Sequence, residues 1–359
     1  MAGALRRLAS LLALRCAVAV VDVWIDTDNS AGVGGGVRDV DDAWALLHLL
    51  NAKDVHVVAV STVFGNADVD AVTKATRALL KASGHTGVPC FRGAAHAGDR
   101  NTTASRRLRA HLDSKTSMTL VSLGALTNVA GALDTRPDLQ EYAVDELIAV
   151  AGRRPGAALT VGDSETGLAD LNFEKDWEAF ADVLRGFTYL VLAPFELSRQ
   201  VAFARDDALA VGETRNWLAA VTAPWLDFWS SEFGVDYFHP FDLLASARLL
   251  HRNLLECDEK AHAWIVRGKS EAITENIASV VEGDASAHGI GVASKMYLHV
   301  GDLKGAPVAA TAKRKRHLVY CHTAKPGLKA ALLEDLKTDS GLRRTWITDN
   351  LRPGAPREL

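Results

Sequence analysis

The chain of 359 residues lacks any long uncharged apolar run. A membrane-spanning helix needs roughly 18 or more such residues, so no span and no membrane partner are expected. Cysteine is scarce: the four residues at 16, 90, 257 and 321 are scattered and form no CxxC pair. Neither a zinc knuckle nor a disulfide framework is suggested, and a reducing compartment fits. An excess of either charge is missing too. Lysine and arginine number 40 against 44 acids, and the net charge of −4 gives no reason to expect nucleic acid as a partner. Internal repeats, low-complexity tracts and Pro/Gly/Ser-rich linkers are absent. What remains is ordinary globular composition, 48% hydrophobic and 23% charged, in a chain long enough for one large α/β domain or two smaller ones. One domain over residues 21–345 is expected, with the last third completing or decorating the sheet and 346–359 as a tail. Residues 1–20 hold Arg6, Arg7 and Arg15 and no acid. They read as an extension or weak organellar signal on an otherwise cytoplasmic protein.

The richest stretch is Val20–Leu50, VVDVWIDTDNSAGVGGGVRDVDDAWALLHLL. Its apolar start, broken only by Asp22, reads as a buried parallel strand. Asp26 and Asp28 follow, then a glycine-rich loop, then Asp39, Asp41 and Asp42. From Ala43 onward Leu46, Leu47, Leu49 and Leu50 give helical spacing. A strand emptying through a loop into a helix sets that loop at the carboxyl edge of a sheet, where open α/β folds build their sites. Acids at a helix start also suit the macrodipole, by a few tenths of a kcal/mol. Capping accounts for one or two of the five carboxylates but not for all. Five acids together call for a cation, and hard cations such as calcium or magnesium take oxygen ligands.

Further strands are expected at Val55–Thr62, Gly87–Phe91, Met118–Ser122, Leu147–Ala151 and Tyr189–Ala193, with helices over Val69–Ala82 and up to Leu133. Residues 94–115, polar and rich in Arg and His, read as a surface excursion. Strands alternating with helices predict βαβ units: an open, mostly parallel, Rossmann-like sheet flanked by helices.

Asp26-Thr27-Asp28, the glycine link, and Asp39-Val40-Asp41-Asp42-Ala43-Trp44-Ala45-Leu46 resemble the signature of the nucleoside hydrolases, the inosine-uridine preferring ribohydrolase family. The link, Asn29–Arg38, is longer than in the relatives. Five more motifs follow in family order: Ser61–Asn66 (STVFGN), Leu123–Leu133 (LGALTNVAGAL), Ala169–Phe180 (ADLNFEKDWEAF), Pro194–Gln200 (PFELSRQ) and Phe238–Ala245 (FHPFDLLA). The ordered set is far more specific than any one motif.

The resemblance implies the nucleoside hydrolase fold and calcium-dependent hydrolysis of a ribonucleoside's N-glycosidic bond, as in purine and pyrimidine salvage. It implies calcium held by Asp28, Asp42, Asp242 and the backbone carbonyl of Thr127, with Asp28 as general base. Asp41, Asn66, Asp170 and Asn172 are implied on the ribose side. Asp170 stands where many relatives have glutamate, which shortens its reach. Asp242 also asks for a partner on its own account, because an isolated buried carboxylate in the apolar FDLLA surround costs several kcal/mol. For the leaving base, one family branch has a histidine where this chain has Phe241. His239 is two residues away and reads as a surface or core residue. Trp225 and Trp229, at i,i+4 spacing, are either a stacking platform for the base or core. Relatives form dimers or tetramers, so a homo-oligomer is expected.

Three rivals remain. A dinucleotide site fails on the missing GxGxxG spacing and on acids that would face a pyrophosphate. An aspartyl-nucleophile phosphatase fails on the downstream motifs. A non-catalytic binding protein on the same scaffold is disfavoured because every proposed metal ligand is present.

Overall fold

The opening apolar run forms strand β1 (Val21–Thr27), near the centre of an eight-stranded sheet. The computed structural model describes residues 20–35, 37–114, 117–134, 143–162, 168–212, 216–268, 295–301 and 317–337. The proposed leader and tail lie outside them. After β1 come α1 (Asp41–Asn51), β2 (Val55–Thr62), α2 (Val69–Ala82), β3 (Cys90–Arg92), α3 (Thr103–Asp113), β4 (Met118–Ser122) and α4 (Thr127–Leu133). Then follow β5 (Val144–Ala149), α5 (Leu171–Lys175), α6 (Trp177–Gly186), β6 (Tyr189–Leu192), α7 (Phe195–Ser198), β7 (Phe203–Ala204), α8 (Arg205–Gly212) and α9 (Asn216–Phe233). The described chain finishes with β8 (Tyr237–Phe238), α10 (Phe241–Leu250), β9 (Leu255–Asp258), β10 (His262–Gly268), β11 (Lys295–Gly301), β12 (His317–Ala324) and α11 (Leu328–Lys337).

The strand order is β3-β2-β1-β4-β5-β6-β12-β9, and every pair is parallel except β12 with β9. The expected parallel α/β sheet is therefore the observed one, completed by β12 from the last third of the chain. Period-two alternation sends β1 to both faces: Val23 and Ile25 pack with α1, α9 and α10, while Trp24 packs with α3 and α4. Ten consecutive residues of α1, Asp41 to Leu50, are buried, so this helix lies within the protein rather than on it. No described helix is long and apolar enough to cross a membrane.

Two expectations are corrected. Residues 94–115 contain α3, started by a capping box between Thr102 and Ser105 and anchored by buried Leu108 and Leu112. Its arginines cover the outer face and mask the helical period. Cys257 and Cys321 stand opposite each other in the antiparallel β9–β12 pair and form a disulfide across 64 residues of sequence. Only that return of the chain makes them neighbours, so the cysteine spacing no longer speaks for a reducing compartment.

Candidate active site

Asp26 sits where β1 is flanked by β2 and β4, in register with Ser61 and Ser122. One carboxylate oxygen accepts the Ser61 hydroxyl and the Asn128 amide, and the other is buried without a partner. Burial raises its pKa to about 7. Asp26 ties the strand ends together beneath the site.

Asp28 comes next. Its Oδ2 accepts the backbone N–H of Asn66 at 2.9 Å, and its buried Oδ1 has no hydrogen-bond partner. Two glycines make room for it. A Cβ on Gly65 would stand 1.8 Å from Asp28 Oδ2, and one on Gly124 would stand 3.3 Å from its backbone nitrogen. The glycine of STVFGN thus stands directly against this aspartate, while that of LGALTN stands closer still to Val63, whose Cγ1 a Cβ would meet at 2.5 Å.

Asp42 and Asp242 open two helices whose first turns meet. The backbone N–H of Asp242 donates to Asp41 Oδ2 at 3.2 Å, and that of Asp42 to Asp41 Oδ1 at 2.9 Å. Asp42 accepts the Thr27 hydroxyl on one oxygen and the Asn66 side-chain amide, at 3.3 Å, on the other. Asp39 accepts the N–H of Asp41 at 3.2 Å, but the residue at the cap of α1 is Val40, so none of these acids caps the helix by its side chain. The long Asn29–Arg38 link still closes back. It makes a 3-10 turn over Val33–Gly35, with Gly34 at φ 67°, and the Ser30 hydroxyl donates to the Asp39 carbonyl at 3.2 Å.

The outcome is a group of three buried carboxylates, Asp28, Asp42 and Asp242, with one oxygen of each within 4.8 Å of the others. Burial, followed by the neighbouring negative charges, pushes Asp28 and Asp242 well above the usual carboxylate range. Asp41 and Asp42 rise to about 6, again chiefly through burial. Ionising all of them needs a cation. Ligands about 2.4 Å from one calcium can be at most about 4.8 Å apart, so the three oxygens fit a single ion.

A cavity of about 290 Å³ opens on this group. Asp39, Asp41, Asn66 and Asp242 line it, as do Asp170 and Asn172, while Asp28 and Asp42 stand just behind the lining. Asp170 accepts the backbone N–H of Gly152 at 2.9 Å, and burial lifts its pKa to about 6. Asn172 donates to the carbonyls of Leu123 (2.7 Å) and Val150 (3.2 Å), leaving its own carbonyl for a ligand. Aliphatic side chains such as Leu123, Val150 and Leu168 line part of the cavity, and the rest of its apolar lining is an aromatic wall. Phe195 stacks on Phe241 at 5.5 Å, Trp229 touches both Phe241 and Trp225, and Phe228 stacks on Trp225 at 5.2 Å.

Two other expected residues stand apart from the cavity. His239 is buried and bonded to the Val201 carbonyl at 3.0 Å, among Phe195, Trp229 and Tyr237, as a core histidine. Thr127 starts α4 with its hydroxyl donated to Asp176 at 2.6 Å, so any ligand role falls to its carbonyl. Sequence reasoning missed Thr27, Phe195, Phe228 and Phe233. The signal for the last two was present: Phe228 is three residues from Trp225 and Phe233 four from Trp229, on one helical face.

A family model described as inosine-uridine preferring nucleoside hydrolase matches residues 23–293, more than half of the chain. The chain belongs to this family. The nucleoside hydrolase is 23% identical over 246 residues to probable uridine nucleosidase 2 of Arabidopsis thaliana, covering 58% of this chain and 74% of that one. Its fold is that of a purine-preferring ribonucleoside hydrolase from Gardnerella vaginalis, with a TM-score of 0.67 at 12% identity over 90% of this chain and 100% of that one. A plant nucleoside hydrolase, the PpNRh1 enzyme, superposes with a TM-score of 0.65 at 17% identity over 89% and 98% of the two chains. Membership makes this protein a metal-dependent nucleoside ribohydrolase, an enzyme that cleaves the N-glycosidic bond of ribonucleosides.

Proposed function

We propose that this nucleoside hydrolase works with calcium, held by Asp28, Asp42, Asp242 and the Thr127 carbonyl, and that Asp28 is its general base. The observation that carries the reading is the trio of buried carboxylates, within 4.8 Å of one another, beside an aromatic-walled cavity. Calcium held by these residues would supply positive charge that favours ionisation of the attacking water and attracts the ribose diol. Asp28, with one oxygen fixed by Asn66 and the other without a partner, takes the proton of the attacking water. The water oxygen bonds to the anomeric carbon as the bond to the base nitrogen breaks. The electron pair leaves with the base, and charge builds on the sugar as in an oxocarbenium ion.

Asp41, already held by two backbone N–H groups, accepts from a ribose hydroxyl. Asp170 and the carbonyl of Asn172 meet the rest of the sugar. The base lies against Trp225, Trp229 and Phe241. Stacking, rather than a histidine acid, is then what helps it leave, since His239 is committed to Val201. The active form is a dimer or tetramer, which light scattering tests against the chain mass of 38.5 kDa. Ribose released from a panel of purine and pyrimidine nucleosides, with and without a chelator, tests the whole reading. Chelator-resistant turnover would overturn it.

A further inference from the structure

On the far side of α1 from the acids lies a second group of metal-ligating side chains: His48, His251 and Asp335. They come from α1, from the residue just past α10, and from α11. Asp335 Oδ2 is 3.0 Å from His48 Nε2 and 2.7 Å from His251 Nε2, and the two rings stack with centroids 5.7 Å apart. Tetrahedral zinc with bonds of 2.0–2.1 Å sets its ligand atoms about 3.3 Å apart, a few tenths of an ångström wider than this spacing.

One tautomer of His48 suits a cation better than a plain hydrogen-bond bridge. Ser246 Oγ donates its one proton to the Leu243 carbonyl at 2.7 Å, so it can only accept from His48 Nδ1, also at 2.7 Å. With Ser246 so oriented, the ring proton is on Nδ1 and Nε2 turns a lone pair toward the Asp335 carboxylate. Two lone pairs at 3.0 Å repel unless something positive lies between them. His48 is buried, so an ion at Nε2 would be reached only from the Asp335 side. An imidazole that donates Nδ1–H outward and aims Nε2 at a shared point is the usual posture of a metal ligand with its outer partner. The side chain of Asp335 is 43% exposed, which gives an ion a way in and a water the fourth position.

We propose that His48, His251 and Asp335 form a second metal site, for a divalent transition cation of the zinc type, distinct from the carboxylate group. Two nitrogens and one carboxylate suit zinc better than calcium. Its place in the fold suggests its effect: it clamps together the ends of α1 and α10, the helices whose first turns carry Asp42 and Asp242.

The test titrates zinc into the full chain by calorimetry, with calcium in excess to occupy the carboxylates. Cobalt replaces zinc in a parallel titration read by visible absorption. One zinc per chain, a tetrahedral cobalt spectrum and a rise in Tm with zinc are expected. In His251→Ala and in Asp335→Asn, affinity should fall at least tenfold and the cobalt bands should vanish, with the circular dichroism unchanged. His251→Gln takes the place of His251→Ala if the latter does not fold. No zinc bound by the wild type, or zinc bound equally by these variants, would overturn the proposal.

Discussion

The two sides of the cavity are built on opposite plans. The acidic floor gathers Asp28, Asp42 and Asp242 from a strand end and two helix starts. The Asn66 backbone N–H holds one oxygen of Asp28, and the Thr27 hydroxyl and the Asn66 amide hold both oxygens of Asp42. The aromatic wall is mostly one helix, α9, with Phe195 and Phe241 added, and is held by ring contacts and by packing on the hydrophobic core. Buried charge tolerates few geometries, because an unpaired carboxylate costs several kcal/mol. Apolar packing tolerates volume-conserving change at less than about 1.5 kcal/mol. The floor should therefore govern chemistry and the wall should govern which base is taken.

The largest effect is expected on the floor. Asp28→Asn should lower kcat by about 10²–10⁴-fold with KM changed much less, since asparagine can still offer an oxygen but cannot take a proton. Steady-state kinetics that found near-normal kcat would remove Asp28 from the base role. Gly65→Ala should follow at about 10²-fold. Its methyl cannot share space with Asp28 Oδ2, and misplacing a catalytic group by about 1 Å can cost that much. Retained folding by circular dichroism, with activity lost, would mark it as a positioning position.

If the carboxylates hold calcium as proposed, its removal should cost about 2.7 kcal/mol of stability relative to an ion concentration roughly 100 times its Kd. It should also expose a dependence on pH. In the metal-free protein burial raises the pKa of Asp41 and Asp42 to about 6, so the native state holds more protons than the unfolded chain between about pH 4 and 6. Stability must then fall as pH rises through that window. Melting temperatures with chelator should be higher at pH 5 than at pH 7.5, and calcium should abolish the difference.

The wall should respond more gently. Trp225→Ala should raise KM, or shift the preferred base, by about 2- to 12-fold, the equivalent of 0.5–1.5 kcal/mol of aromatic contact. A loss of kcat as large as that of Asp28→Asn would erase the contrast between floor and wall. Smallest of all, His239→Ala should change kcat less than about twofold, because its ring bonds to Val201 rather than facing the cavity.

Much of the floor was legible because the acids of β1 and α1 are close in sequence and share one strand–loop–helix unit. The sheet was legible too, since Val55–Thr62 and Met118–Ser122 carry undisguised apolar runs. Helix α3 was hidden by its arginines, and Phe195 by its distance from Trp225. The disulfide was hidden by the 64 residues between its cysteines.

By itself the sequence determined the parallel α/β class, the family and the concentration of acids at one sheet edge, because periodicity and clustered charge act over a few residues. Tertiary structure alone decided how near the acids named by the resemblance lie to one another, that Gly65 must be bare beside Asp28, and that His239 bonds to Val201. It alone brought His48 to His251 and Asp335. Those facts depend on how strands distant in sequence pair and how helices cross, and no local pattern encodes the distance between two side chains on different elements.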